Sequence, residues 1–365
     1  MNGLKALFIA ALAANAALLQ AQTPADATEQ AAAASRPAPA DSAEQTAVPK
    51  WYLSGMAEAY SRFTPHERTA LGIPRFAVGV EFRPHRRWTF TGEIEFTTDN
   101  HDNPYSLELI AAYEVNRALQ IRAGYLPIPV GLFNRDDCPT NRFAVAESEG
   151  ETAILPSGWT DGGAGIFGEF GQNRASFSYS ALAVLPLYES KHRAAPGYAA
   201  RLDWQGIEGL RLGGSVYFQP NAASEALNGQ RTNSTYWSFD AEYDGSIVVA
   251  RACAMGEHLG RSGLLSRNFS GEAGLKLKRL TGGEKTPDLT PFVRYEYYQT
   301  PTDADGGDFT RIPTSQATVG VNYSPLSWML LKADYAARVR HTGPGTCDHE
   351  VAIGLVLTGD IWKKR

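Results

Sequence analysis

Cysteine, histidine and surplus basic charge are all scarce in this sequence. Its 365 residues include three cysteines and seven histidines, and their spacing matches no metal-binding or redox motif. The formal net charge is -5, whereas nucleic-acid-binding proteins usually present a basic surface. We therefore expect no cofactor, no metal and no nucleic-acid partner. Cys138 and Cys347 both lie in predicted loops, and the sequence leaves two alternatives for them, a disulfide or free thiols.

Long apolar runs are missing after the N-terminus. Residues 1–21 contain Lys5, an apolar stretch and then small residues, a pattern typical of a secretory signal peptide. Residues 22–49 are rich in alanine, proline and glutamine, which predicts a disordered periplasmic lead-in. No later run is long enough to cross a bilayer as a helix. If residues 50–365 lie in a membrane, they must therefore form a closed β-barrel.

The sequence is instead rich in residues that favour strands and turns. It contains 35 glycines, 16 tyrosines, 16 phenylalanines and 7 tryptophans, which is an all-β composition. Apolar and polar residues alternate along sixteen segments; in one of them Trp88, Phe90 and Phe96 alternate with threonine and glutamate. Residues 269–278 form another. This period of two predicts sixteen antiparallel strands.

The connections between these strands alternate in length. Those near Asn116, Gln172 and Asp244 are short, whereas those after odd-numbered strands are generally longer. This alternation is typical of outer-membrane barrels, which have short periplasmic turns and long extracellular loops. A barrel of sixteen strands is too wide for side chains to fill, so we expect polar side chains to face an aqueous lumen. Arg251 is assigned to the lumen because an arginine facing lipid costs about 2–4 kcal/mol.

Residues 119–170 form a strand, a long polar excursion and a second strand. The excursion carries charges of both signs and apolar residues such as Leu132, Phe143 and Trp159. Loops of this length are usually functional or disordered, and the apolar residues favour a folded one. We interpret it as a long third extracellular loop that folds into the lumen of a transmembrane barrel.

Three stretches of this region resemble a known family. IRAGYLPIPVGLF at 121–133, RFAVAE at 142–147 and LPSGWTDGGAGIFGEF at 155–170 are similar to the strand–loop–strand core of the phosphate-selective porins (porin O/P type). The resemblance implies a sixteen-stranded outer-membrane barrel, commonly trimeric, with an inward-folded third loop at the constriction. Two departures are Trp159, where the family often has arginine, and the C-terminal IWKKR, which does not end on an aromatic residue. The first departure bears on anion selectivity.

Charged residues at the narrowest point of a pore determine its ion selectivity. In the third loop, Arg135 and Arg142, opposed by Glu147 and Glu149, are the candidates for the constriction. Strand alternation places further basic residues in the lumen, among them Arg122, Arg211, Arg294, Lys332 and Arg338. Acidic residues alternate in the same way, so a wall of mixed charge is an alternative to an anion track.

The predicted function is therefore passive diffusion of small hydrophilic solutes or ions through a bacterial outer-membrane porin. The expected assembly is a homotrimer embedded in outer-membrane lipid, and the family suggests a preference for anions of the phosphate type. The alternative is a structural or adhesive barrel whose lumen is closed by the third loop; an outer-membrane hydrolase is a second rival. His341, Cys347 and His349 have no orienting partner in the sequence, so no metal or catalytic role is assigned.

Overall fold

The structure is a computed structural model. It describes residues 50–65, 70–97, 105–134, 138–155, 158–185, 195–224, 230–260, 264–282, 286–302, 310–341 and 346–364. The predicted signal peptide and lead-in, and the constriction candidate Arg135, lie outside these residues.

Sixteen β-strands make up most of the described chain. They are β1 (Lys50–Phe63), β2 (Ala70–His85), β3 (Trp88–Thr97), β4 (Tyr105–Asn116), β5 (Leu119–Pro127), β6 (Thr160–Phe170), β7 (Phe177–Leu185), β8 (Gly197–Ile207), β9 (Leu210–Ser224), β10 (Gln230–Asp244), β11 (Val248–Leu259), β12 (Leu264–Leu275), β13 (Leu289–Thr302), β14 (Thr310–Leu326), β15 (Met329–Arg340) and β16 (Thr346–Lys364). The described residues also form two short helices, α1 (Glu149–Thr152) and α2 (Leu277–Thr281), and a 3₁₀ turn at Asn173–Ala175.

The sheet closes on itself. Each strand pairs with its neighbours in sequence, and β1 pairs with β16, so the order around the barrel follows the chain. At this seam Glu58 of β1 lies opposite Val356 of β16, and on the other side opposite Arg75 of β2. Because β1 and β16 pair with each other, neither of these terminal strands is left as an open edge of the described sheet. The prediction of a sixteen-stranded antiparallel barrel is confirmed.

The described helices include none that is both long and apolar enough to cross a membrane.

The two faces of the barrel wall have opposite chemistry. On the outside, Phe96 of β3 is 49% exposed and Phe239 of β10 is 65% exposed. The residue after Phe239, Asp240, is 6% exposed and faces the interior. Arg251 also faces the interior, as expected, where its guanidinium donates to Glu272 (2.9 Å). Apolar rings that stay exposed on the outer face form the kind of surface that lipid covers in membrane barrels.

The connection between β12 and β13 differs from the prediction of a strand over residues 269–278. β12 ends at Leu275, and α2 follows. The Lys276 ammonium donates to Asp244 in the β10–β11 turn (2.6 Å), and the Lys276 carbonyl accepts from the backbone N–H of Arg279. The chain therefore leaves the sheet and coils. Alternating leucine and lysine over so few residues fits a strand and a first helical turn equally well.

The expectation of an aqueous lumen is wrong for part of the interior. Leu182, Val184, Tyr217 and Met255 face inward and are at most 4% exposed. They belong to one apolar cluster with residues of the β5–β6 connection. Strand side chains alone cannot fill a barrel of this width, but a stretch of chain inside it supplies the missing atoms. The interior therefore contains a packed core beside its polar wall.

Candidate functional site: the barrel interior

Residues 128–159, which connect β5 to β6, are called the inner segment. Its two ends meet where the backbone N–H of Ile128 donates to the Trp159 carbonyl (2.9 Å). The Asn134 side chain bridges both ends: its amide donates to the Ile128 carbonyl (2.7 Å) and its oxygen accepts from the Trp159 N–H (2.6 Å). The backbone groups at the two ends of the inner segment therefore have hydrogen-bond partners although this part of the chain is not in a strand.

Apolar side chains attach the inner segment to the β7–β11 wall. The members that the inner segment contributes to the apolar cluster are Ile128, Val130, Leu132, Ile154 and Leu155. Trp159 packs edge-on against Tyr217 (4.6 Å between ring centroids) and Tyr236 (5.3 Å). Burial of each large apolar side chain contributes about 1.5–3 kcal/mol. Trp159, which departs from the family pattern, is therefore an anchor of this cluster.

Arg142 connects the inner segment to β1 and β2. Its Nη2 donates to both carboxylate oxygens of Glu58 (2.6 and 2.8 Å), and its Nη1 lies 3.5 Å from Glu147. Arg75 of β2 lies 3.4 Å from the same Glu147 oxygen. Arg142 and Glu58 are 5% and 1% exposed. The structure thus brings the constriction candidates Arg142 and Glu147 together, with the Arg142 charge bound to a buried carboxylate.

Lys332 of β15 holds the same part of the inner segment from the other side of the seam. Its ammonium donates to the backbone carbonyls of Pro139 (2.6 Å), Arg142 (2.8 Å) and Ala144 (3.3 Å). Two residues along β15, the Asp334 carboxylate accepts from the backbone N–H of Val145 (2.6 Å). All three ammonium protons are therefore used, and Lys332 is 1% exposed. Lys332, a predicted lumen residue, lies on the inner face with its charge enclosed by the inner segment.

Arg294 and Glu296 of β13 hold the start of α1. Arg294 donates to the carbonyls of Ala146 and Glu147 (both 3.2 Å). Glu296 accepts from the Ser148 hydroxyl (2.5 Å), and Ser148 is the N-cap of α1, where its side chain accepts from the N–H of Glu151. An N-cap satisfies helix donors that otherwise have no partner. Serine at this position thus links the helix start to the barrel wall.

Arg211 and Arg338, two further predicted lumen residues, also form ion pairs. Arg211 of β9 pairs with Glu242 of β10. Arg338 of β15 pairs with Glu149 of α1, whose other oxygen accepts from the Tyr298 hydroxyl (3.0 Å). Both arginines are partly accessible, with side chains 28% and 25% exposed. They face the interior as alternation predicts, and each has a carboxylate partner.

A buried network that the site prediction left out lies on β8 and β10. Arg201 donates to both oxygens of Asp203 (2.9–3.1 Å from Nε) and to both oxygens of Asp240 (2.6 and 2.8 Å). Its side chain is 2% exposed. Next to it, Ser238 accepts from the backbone N–H of Gly131 in the inner segment (3.2 Å). Alternation places Arg201 in the interior, but no sequence signal indicates that the inner segment covers it.

Glu151, in α1, is a second residue that the sequence did not single out. Its Oε1 accepts from the backbone N–H groups of Phe133 (2.9 Å) and Asn134 (3.1 Å). Its Oε2 is buried and has no hydrogen-bond partner among the described residues. Burial raises the pKa of Glu151 to about 7, and the nearby Asp240 charge adds to this, while the backbone N–H groups of Asn134, Phe133 and Leu132 oppose it. A carboxyl group in this environment favours its protonated form.

The inward-facing side chains of β3–β5 are in a different environment. Glu93, Glu108 and Arg122 are half-buried; they are called the accessible wall. The Arg122 guanidinium donates to Gln120 (2.6 Å) and lies over the Phe167 ring, 4.2 Å from its centroid. Arg122 forms no ion pair with any described residue. The positive charge of Arg122 therefore has no carboxylate partner among the described residues, unlike the charges of the arginines that contact the inner segment.

The three cysteines are free thiols. Cys253 is buried in the apolar cluster, whereas Cys138 lies in the inner segment and Cys347 is exposed on β16. The disulfide between Cys138 and Cys347 that the sequence left open is not formed.

Comparisons with family models and with curated proteins gave no match. Among solved structures, OmpF of Salmonella typhi, in a complex with daunomycin, is 14% identical with a TM-score of 0.61 and covers 85% of this chain and 97% of its own. An anion-selective porin from Comamonas acidovorans is 9% identical with a TM-score of 0.60, covering 85% and 100%. OmpT of Vibrio cholerae, an outer membrane protein in trimer form, is 12% identical with a TM-score of 0.56, covering 86% and 100%. The chain thus has the fold of outer-membrane porins.

Proposed function

We propose that this protein is a bacterial outer-membrane porin through which small hydrophilic solutes or ions diffuse passively. The observation that carries the proposal is the closed barrel with apolar residues outside and charged residues inside. An apolar outer band is what a bilayer solvates, and a charged interior wall needs water or fixed partners. No chemical step enters this function.

The half-buried residues of the accessible wall support a water-filled route on the β3–β5 side. The charges of Arg142 in the inner segment, and of Arg294 and Lys332 beneath it, are bound by carboxylates and carbonyls, and these residues are at most 5% exposed. Arg122 is the member of the accessible wall that can meet a passing anion. We therefore assign the proposed anion preference to Arg122, in line with the phosphate-type resemblance and with the anion-selective porin of the same fold.

A homotrimer in the outer membrane completes the proposal. The similar OmpT of Vibrio cholerae has been determined in trimer form, and the apolar outer face offers the surface for both lipid and neighbouring copies. Native mass spectrometry of the protein in detergent is expected to give three chains per particle, and a monomer at all protein concentrations would refute this part.

Planar-bilayer recording tests the function directly. The purified full chain is expected to insert with discrete conductance steps, and a salt gradient is expected to give a reversal potential of the sign that marks anion preference. A barrel whose lumen is closed by the inner segment would give no steps, which is the outcome that favours the structural or adhesive alternative.

A further inference from the structure

Glu151 joins the two halves of the inner segment. It lies in α1, near the C-terminal end of the inner segment, whereas the N–H groups that its Oε1 accepts belong to Phe133 and Asn134 near the other end. Gly131 has a φ of 83°, a conformation that favours glycine, and a Cβ there would collide with the Glu151 carboxylate. The turn at Gly131 therefore presents backbone donors to this carboxyl group at van der Waals contact.

The second oxygen of Glu151 is the unusual feature. Oε2 is enclosed and has no partner among the described residues, and Glu151 is 3% exposed. A buried carboxylate normally has several hydrogen bonds or a cation beside it. A neutral carboxylic acid loses less hydration energy on burial than a carboxylate and needs fewer hydrogen bonds to offset that loss. The geometry around Glu151 therefore fits the protonated form better than the ionised one.

Among the described residues, the charged and titratable groups around Glu151 give it no cation of its own. From β10 it is faced by Asp240, and from β11 by the Cys253 thiol, which lies near both carboxyl groups. The nearby cation, Arg201 of β8, is occupied by Asp203 and Asp240. Ionised Glu151 would therefore place a second negative charge beside Asp240, whose own charge is already balanced by Arg201.

We propose that Glu151 is a proton-binding site that couples the pH of the surrounding water to the attachment of the inner segment. With the proton bound, the inner segment is held against the β7–β11 wall. Loss of the proton weakens this attachment and favours a released inner segment in which Glu151 reaches water. The effect on ion flow rests on the proposed porin function, whereas the effect on the inner segment does not.

The direction of the effect follows from the pKa, which rises from 4.5 to about 7 when Glu151 is buried. Below pH 4.5 both states hold the proton, so pH has no effect on attachment. Between pH 4.5 and 7 the released state ionises first, and attachment weakens about tenfold per pH unit, or about 300-fold in total. Above pH 7 both states are ionised, and the attachment stays at its weaker value.

Hydrogen–deuterium exchange of the full chain in detergent tests the proposal between pH 5 and pH 8, after correction for intrinsic exchange rates. In the wild-type chain, protection of amides in residues 128–134 and 138–155 is expected to fall up to about pH 7 and then level off. Glu151→Gln keeps an oxygen for both N–H donors and cannot ionise, so protection is expected to stay at its low-pH value. Glu208→Gln, the same change in the exposed β8–β9 turn, is expected to titrate like wild type.

Protection that is flat in the wild-type chain would overturn the proposal, and so would a Glu151→Gln variant that titrates like wild type. If Glu151→Gln does not fold, infrared titration of the wild-type chain replaces it, with one carboxyl group expected to protonate near pH 7 and its absence overturning the proposal. Bilayer conductance is recorded over the same range and is expected to rise with pH. A chain that never conducts refutes the porin function, while the exchange data still decide the role of Glu151.

Discussion

The inner face of this barrel has two regions built from the same residue types. On β8–β15, Arg201, Arg294, Glu296 and Lys332 are at most 5% exposed, because the inner segment or a neighbouring carboxylate encloses them; they are called the covered wall. On β3–β5 the accessible wall keeps its charged groups half-buried. Charged residues that face inward thus hold the interior together in the covered wall and can contact passing solutes in the accessible wall. The difference lies in what the inner segment covers.

The largest effect is expected from Glu58→Gln, at the edge of the covered wall. The substitution removes the buried carboxylate of Arg142 and leaves only the more exposed and more distant Glu147 (3.5 Å), and loss of one partner of a buried ion pair costs about 3–5 kcal/mol. We expect a lower urea midpoint and a larger, noisier single-channel conductance because this part of the inner segment is released. Unfolding in lipid vesicles and bilayer recording measure the two effects. Unchanged values in both would mean that the pair does not hold the inner segment.

A somewhat smaller effect is expected from Lys332→Met. The substitution keeps the length of the side chain but removes the donor shared by the carbonyls of Pro139, Arg142 and Ala144. Carbonyls that are buried without a donor cost about 1–3 kcal/mol. Conductance is expected to rise here as well, and a stability equal to that of wild type in urea unfolding would contradict the assignment.

Arg122→Gln sharpens the comparison from the accessible wall. Because Arg122 forms no ion pair with a described residue, we expect its loss to cost only about 1 kcal/mol, from its contacts with Gln120 and the Phe167 ring. The reversal potential in a salt gradient is expected to shift toward cations. Arg294→Gln is the matched variant on the covered wall, and we expect it to lower stability more than it shifts selectivity. The opposite ranking would mean that the two walls have been assigned the wrong roles.

The smallest effect is expected from Arg117→Gln, which breaks an ion pair with Glu169 at the end of β4. The two side chains are 56% and 40% exposed, and exposed pairs contribute about 0–1 kcal/mol. We expect urea unfolding and conductance close to those of wild type. A loss as large as that of Glu58→Gln would show that exposure does not determine what an ion pair contributes in this barrel.

The sequence was sufficient to predict the barrel because each strand repeats the same signal. Period-two alternation places Phe239 outside and Asp240 inside without knowledge of the partner strand. The even number of strands and the short turns then imply closure. A local ambiguity remained at residues 276–278, where alternating leucine and lysine fit both a strand and a helical turn, and where the Lys276 ammonium binds Asp244 at the end of β10.

For the interior, the sequence predicts the direction of single side chains but not their contacts with the inner segment. Alternation predicts that Arg211, Arg294, Lys332 and Arg338 point inward, but it contains no information on which of them the inner segment will cover. That outcome depends on contacts between residues far apart in sequence, such as Glu58 with Arg142. Glu151 was missed for the same reason, because its donors at Phe133 and Asn134 come from a turn whose shape the sequence pattern does not specify.

Arg142 and Lys332 have a consequence for the barrel's own closure. They bind the inner segment to β1 and to β15, on either side of β16, so a single loop spans the join between the first and last strands. A force that pulls these strands apart must break side-chain bonds as well as the ladder between them. Lateral opening at this join and departure of the inner segment are therefore mechanically linked, and a barrel that loses one contact yields more easily at the other.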